Sequence, residues 1–279
     1  MRRSIQLILQ MKIKISSLIF FCNLLLAGLL LDGVSVIAQE SYLSQLLPGI
    51  EFSFQHLNLK SSEFTGKSHF NYEILTKAGT KFIVEKNENT KPDGKVFTRK
   101  TLWFDAESGL PNFYEEEDFR EDFRITNSYS GEVMQTRLEK DGRVLEFETS
   151  LSQEKAVPFE VVIFYLRKNL QEILQTKDYS FTLFIPLLAI ELEKKGFPRS
   201  MSMIRMMVEP QGEIQMETPL GVQTAQTILV LPESGLLRAL LPREKTHFEF
   251  TFTAAAPHHL LQFEVGKTRH VLTHLILTE

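Results

Sequence analysis

The residues closest to forming a metal site are four histidines near the C-terminus, His258, His259, His270 and His274. A zinc or copper site needs imidazoles that converge within about 2 Å of one point. In extended chain His270 and His274 point to the same side but lie roughly 13 Å apart, too far to share an ion. His258 and His259 point to opposite faces. One helical turn would bring His270 and His274 together, but their Thr-rich, β-branched surroundings favour a strand. No metal site and no cofactor are expected.

Carboxylates are the second chemical feature. From Asp105 to Asp122 there are eight against one base, Arg120, and Glu115, Glu116, Glu117 and Asp118 are consecutive. Calcium takes six to eight oxygen ligands, but consecutive strand residues project alternately and the loop spacing of a calcium site is absent. The expectation is a solvated strand end whose charges discourage edge pairing. A carboxylate pair for glycoside hydrolysis depends on a separation that sequence does not give, and nothing singles out a pair. No serine sits in a G-x-S-x-G elbow, no H-E-x-x-H occurs, and no Gly-rich loop precedes a helix. No catalytic residue is assigned and no enzyme activity is expected.

Methionine is the third. Met201, Met203, Met206, Met207 and Met216 fall in a short span. If 200–208 is a strand, Met201, Met203 and Met207 share one face, and Ile204, Met206 and Val208 share the other. Methionine is flexible and polarizable, so it fills irregular cores or lines sites that adapt to apolar guests. Met201, Met203, Met206 and Met207, with Leu166 from a helix described next, are the candidate ligand-binding residues. Core filling is the competing role.

Elements of two kinds must position these groups. The dominant period is two: Ile50, Phe52 and Phe54 alternate with polar neighbours, as do Phe70, Tyr72 and Ile74, and Phe248, Phe250 and Phe252. Each run reads as a half-buried strand. Roughly twelve strands are expected, among them 95–104, 111–117, 122–129, 132–139, 143–149, 179–185, 200–208, 213–217, 222–230 and 259–265. Turn signals separate them: Ala78-Gly79, Pro92-Asp93-Gly94, Ser130-Gly131, Asp141-Gly142, Gln211-Gly212 and Gly266-Lys267.

One segment, 158–176, has a different period. Phe159, Val162, Ile163, Leu166, Leu170, Ile173 and Leu174 fall three and four apart, on one face of a helix. Pro158 suits the first helical position and Glu160 the positive end. Val161, Phe164 and Tyr165 widen the stripe in its first half, so that end is covered on more than one side. The fold class is therefore all-β and mainly antiparallel: a curved sheet or open barrel-like shell with one main amphipathic helix closing it. A faint echo links 102–111 with 250–257, each a strand followed by a Pro-initiated strand. It is too short to divide the chain, and 39–279 reads as one domain.

The composition supports such a core, with 22 Phe, 43% hydrophobic and 24% charged residues. Arg2, Arg3, Lys12 and Lys14 precede an uncharged stretch from Ile15 to Leu31 and the small-residue tail at Ala38. That is the pattern of an export signal over 1–38, with cleavage after Ala38 and Met11 as a second start; the alternative is a retained anchor. The only cysteine, Cys22, lies inside this leader, so the mature chain has no disulfide or thiolate chemistry. With 31 basic and 35 acidic residues, and four bases lost with the leader, no surface attracts nucleic acid.

Three motifs resemble those of the domain of unknown function 3108 family: Leu102-Trp103-Phe104-Asp105-Ala106-Glu107-Ser108-Gly109-Leu110-Pro111; Val157-Pro158 opening a helix with Tyr165-Leu166-Arg167; and Glu217-Thr218-Pro219-Leu220-Gly221-Val222. The resemblance runs from near Pro48 to the C-terminus. It departs in the methionine-rich 201–216 stretch and in Phe184-Ile185-Pro186-Leu187-Leu188. It implies a secreted or periplasmic bacterial envelope protein of antiparallel β architecture, with no activity assigned.

Two functions fit. One is a binding module whose shell holds a lipid or other apolar ligand. The other is a structural or assembly protein of the envelope, with envelope proteins as partners and no ligand.

Overall fold

The structure is a computed structural model that describes residues 50–152, 156–240, 243 and 246–276. The expected leader and its cleavage site lie outside the described residues. Fifteen strands form one sheet. In the first half these are β1 (Glu51–Asn58), β2 (Phe64–Lys77), β3 (Thr80–Thr90), β4 (Val96–Asp105), β5 (Pro111–Asp118), β6 (Phe123–Ser130), β7 (Val133–Lys140) and β8 (Arg143–Ser150). In the second half they are β9 (Ala156–Pro158), β10 (Ser180–Phe184), β11 (Met203–Thr218), β12 (Gly221–Pro232), β13 (Phe248–Thr253), β14 (Leu260–Val265) and β15 (Thr268–Ile276).

Sheet order follows chain order except at one place. β1 pairs with β15, so the sheet runs from β8 through β1 and β15 to β9. Among the described residues the two edges of the sheet, β8 and β9, are therefore consecutive in the sequence, and the shell is open between them. Neighbours are antiparallel throughout, save the short parallel pair β9 and β10. Tight turns make this possible. Between β7 and β8, Asp141 and Gly142 both take positive φ, 53° and 69°, the geometry whose twist matches that of the flanking strands.

The helical segment begins immediately after β9. A 3₁₀ turn (Phe159–Val161) leads into α1 (Val162–Lys168) and α2 (Leu170–Gln175). The hydrogen-bond ladder continues across Asn169, since its N–H donates to Tyr165 O and Ile173 N–H donates to Asn169 O. Phe159, Val162, Leu166, Leu170 and Ile173 are all buried, as the periodicity required. The segment reaches from the first half of the sheet to the second. Phe164 packs edge-on against Phe104 of β4 with centroids 4.3 Å apart, while the Arg167 Nε donates to Pro257 O in the β13–β14 turn, 2.6 Å away. Pro158 ends β9 and precedes the helical turn rather than opening it.

Several expectations are corrected. The strand expected at 200–208 starts at Met203, because Arg199–Ser202 forms a 3₁₀ turn, and it continues through the expected 213–217 strand as one element. Gln211-Gly212 is a bulge rather than a turn: the β11–β12 register shifts between Pro210 and Gly212, where Gly212 takes φ 101° and Pro210 removes a donor. The Phe184–Leu188 run ends β10 and starts a further helix, α3 (Pro186–Lys194), with proline at its first turn. A short α4 (Gly235–Leu240) also went unread.

Candidate functional site

The inward face of β1 to β5 changes character along each strand. Near one end it is aromatic: Phe52, Phe54, Phe70, Tyr72, Leu102, Phe104 and Tyr114 are almost fully buried. Towards the other end the same face carries His56, Ser68, Glu85, Asn87, Asn89, Thr98, Lys100, Glu116 and Asp118, each at most 3% exposed. The pairing register brings them together. Asn87, Lys100 and Glu116 lie opposite one another on β3, β4 and β5, and Asn89, Thr98 and Asp118 form the next row.

Within this belt the hydrogen bonds have a direction. Ser68 Oγ donates to Asn89 Oδ1, Asn89 Nδ2 donates to Asn87 Oδ1 at 3.1 Å, and Asn87 Nδ2 donates to His69 O at 3.1 Å. Ser68 has only one proton, already given to Asn89, so His56 Nε2 must donate to Ser68 Oγ. The neutral tautomer of His56 with its proton on Nε2 is thereby fixed. His270 stands edge-on to His56 with ring centroids 4.3 Å apart and stacks flat on Phe263 at 4.1 Å. It serves as an aromatic plate. Gly66 permits the close packing here: a Cβ at that position would sit 2.4 Å from Thr90 O and 3.4 Å from His56 Nδ1.

Burial governs the charges. Lys100 Nζ is 3.9 Å from Glu116 Oε1; burial lowers its pKa, opposed by Glu116, Glu85 and Asp118. Tyr114 donates to Glu116 at 2.6 Å and Tyr72 donates to Glu85. Burial pushes Glu85 up to about 8, against the pull of Tyr72 and Lys100, and it also raises Glu116. Asp118 accepts from Arg120 at 2.7 Å and from Thr98 at 3.3 Å. His56 is pushed down to about 4, first by burial and then by Lys100, and burial holds His270 well below the usual histidine range.

These findings correct two expectations. Glu115 to Asp118 is not a wholly solvated strand end: Glu115 and Glu117 face outward beside Arg124, while Glu116 and Asp118 turn into the shell. Glu160, expected to serve a helix end, is 2% exposed and accepts from both Asn127 and Tyr129 of β6. The histidines also differ from the sequence reading. The β1–β15 register shifts between Ser53 and Phe54, so Leu272 pairs with Phe54 and His274 with Ser53. Thr273 is therefore the extra residue, and His274 emerges on the outside while His270 stays in. Among the described residues no three His, Asp or Glu side chains converge on a point that could hold a metal ion.

A cleft lies at the open end, where the β4–β5 and β6–β7 turns, Leu151 and the start of the helical segment meet. Its volume is about 330 Å³, at the small end of the range for ligand sites. Phe104, Leu110, Val157, Val161 and Phe164 supply the apolar wall, with Tyr129 and Tyr165 beside them. Local structure holds the rim. Asp105 Oδ1 accepts from Glu107 N–H at 3.1 Å and Ser108 N–H at 2.7 Å, and Gly109 follows at φ 68°. That turn projects Leu110, 60% exposed, over the cleft. Glu160 pins the opposite wall to β6. The widened stripe of Val161, Phe164 and Tyr165 is thus explained: it packs on the shell and lines this opening.

The methionines stand elsewhere. Met206 is 2% exposed in the core, and so is Leu166 at 0%. Met201, 54% exposed, and Met203 line an outer groove with Ile204, Leu237 and the paired Arg205 and Glu233. Met207 borders a separate groove beside Lys177 and Asp178. The five candidate residues therefore do not surround one space. The sequence signal for the cleft is the helical stripe wider than one interface needs; Leu166 is the candidate it suggests, whereas Val161, Phe164 and Tyr165 are the stripe residues that line the space.

No family model matches the chain, and no curated protein matches it. Among solved structures it is similar to a β-barrel-like protein of the domain of unknown function DUF1849 from Brucella abortus, with 10% identity, TM-score 0.46, 84% of this chain and 99% of that one covered. A candidate lipoprotein from Parabacteroides distasonis is 8% identical with TM-score 0.33, covering 83% of this chain and 96% of its own. A candidate exported protein with a YmcC-like fold from Bacteroides fragilis gives 8% and 0.33, covering 83% and 98%. At such identities and TM-scores none of them bears on what this chain does.

Proposed function

We propose that this is an exported protein of the bacterial envelope that takes an apolar, lipid-like ligand into the cleft at the open end of its shell. The observation that carries the reading is the cleft itself: about 330 Å³ walled by Phe104, Leu110, Val157, Val161 and Phe164. Export rests on the charged, apolar and small-residue segments of 1–38. The envelope assignment rests on the three motifs that resemble the domain of unknown function 3108 family. The reading assigns no catalytic step, since the ionisable groups of the belt, His56, Glu85, Lys100, Glu116 and His270 among them, are sealed from solvent.

The competing reading, a scaffold that recruits envelope proteins, would use the free sheet edge at β8. That edge carries Arg143, Glu146 and Glu148, charges that discourage strand addition. Native mass spectrometry of the protein purified from its own envelope tests the proposal. A co-purifying apolar molecule that is lost on adding an apolar competitor supports it; a bare mass together with stoichiometric protein partners supports the scaffold instead.

A further inference from the structure

The polar atoms on the cleft wall point to the chemistry of its occupant. Tyr129 donates its hydroxyl to Glu160. Tyr165 and Tyr179 share a hydrogen bond of 2.9 Å between their hydroxyls, and Ser152 does so with Ser150 at 2.9 Å. The polar side chains nearest the apolar wall thus each hold a protein partner, and one hydroxyl of the Tyr pair and one of the Ser pair keep a proton to give. A hydroxyl, amide or carbonyl entering between Phe104, Val157, Val161 and Phe164 would lose water and find little in return. Charged groups that could meet a polar head, Lys168 and Glu132, stand exposed at the mouth.

Volume sets the length. An apolar cavity of about 150 Å³ takes one benzene, roughly 25 Å³ for each carbon. On that scale the cleft of about 330 Å³ holds about a dozen carbons, which is one hydrocarbon chain and not the two chains of a diacyl lipid. We propose that the cleft accepts the end of a single unsubstituted hydrocarbon chain, tail first, with the polar head left in solvent at the mouth. This rests on the proposed function and narrows it from apolar ligands in general to one chain.

The test uses the exported chain without its leader and the neutral fluorophore 1-aminonaphthalene, whose two fused rings are smaller than the cleft. Straight-chain alkanoates from hexanoate to hexadecanoate displace it, each kept below its micelle concentration. Burying one methylene strengthens binding about fourfold. Affinity should therefore climb about fourfold per carbon, then level off near a dozen carbons. An ω-hydroxyalkanoate of the optimal length should bind about 10–100-fold more weakly than its parent, the discrimination an apolar site achieves against an added hydroxyl. If the fluorophore binds and Leu110→Asp weakens it, but affinity is independent of chain length, keeps rising to hexadecanoate, or ignores the ω-hydroxyl, the single-chain proposal fails while the cleft reading stands. If the fluorophore does not bind at all, the cleft reading fails with it.

Discussion

Glu85 offers a direct test of the buried polar belt. Its carboxyl is sealed in the shell, 1% exposed, with the Tyr72 hydroxyl donating to one oxygen while Oε1 has no hydrogen-bond partner among the described residues. Burial moves its pKa from 4.5 to about 8. The folded state therefore keeps a proton that the unfolded chain releases from about pH 4.5 upward. This contribution to stability is fully present below the unfolded pKa and is lost as pH rises through the folded one. At about 1.4 kcal/mol per pKa unit the loss across the window is about 5 kcal/mol. Glu85→Gln keeps an acceptor for Tyr72 and removes the titration. Its amide lacks a partner where Oε1 now stands, a cost of about 1–3 kcal/mol that does not vary with pH. Urea unfolding of both proteins between pH 5 and 8 reads the difference. The stability of the parent relative to the variant should fall by about 4 kcal/mol over that range. A difference that stays flat within about 1 kcal/mol would show that Glu85 is solvated or ionised in the folded state, and the account of the belt would be wrong.

The acid side has the opposite sign. His56 and His259 are both held down near 4, so each adds stability that is lost as pH falls below about 6.5, about 3 kcal/mol apiece by pH 4; His56→Gln should flatten the acid limb of the stability curve, and an unchanged limb refutes the assignment. Leu166→Ala, at a fully buried position, should cost about 2–5 kcal/mol in denaturant unfolding, whereas a loss below about 0.5 kcal/mol would place that helix face at the surface. Gly66→Ala would drive a methyl to within 2.4 Å of Thr90 O and should cost at least about 1–3 kcal/mol; a neutral outcome would mean that β2 and β3 part easily at that point.

Much of the fold was legible because the hairpins are local. Asp141-Gly142 and Ala78-Gly79 marked two-residue turns, and Phe159, Val162, Leu166, Leu170 and Ile173 marked a buried helical face, so neighbouring residues carried the whole signal. The closure of β1 on β15 was not legible, since no local pattern distinguishes that pair from a free edge. Nor was the polar belt. Period two tells which residues share a face, and polarity was then used to decide which face is inside; Lys100, Glu116 and Asp118 defeat that step. A signal was nevertheless present. Lys100 has the parity of Leu102 and Phe104, and Glu116 has that of Tyr114, so extending each face from its apolar anchor places the charges inward. The expectation that His270 and His274 point to one side is overturned by a single bulge at Thr273, which reverses every side chain beyond it. The methionines misled because a strand apolar on both sides puts Met206 into the core while Met203 and Met207 border separate outer grooves.

The central claim is that the cleft beside Val161 and Phe164 takes an apolar ligand, and one titration decides it. 1-Aminonaphthalene is bound to the parent protein, to Leu110→Asp and to Met201→Asp, with circular dichroism showing each folded. Both sites are surface-exposed, 60% and 54%, so neither substitution threatens the core. The account predicts that the parent binds, that Leu110→Asp weakens binding about tenfold because the leucine side chain that covers the guest is exchanged for a hydrated carboxylate, and that Met201→Asp leaves it unchanged. Equal affinity in the parent and Leu110→Asp, or a loss confined to Met201→Asp, would contradict it.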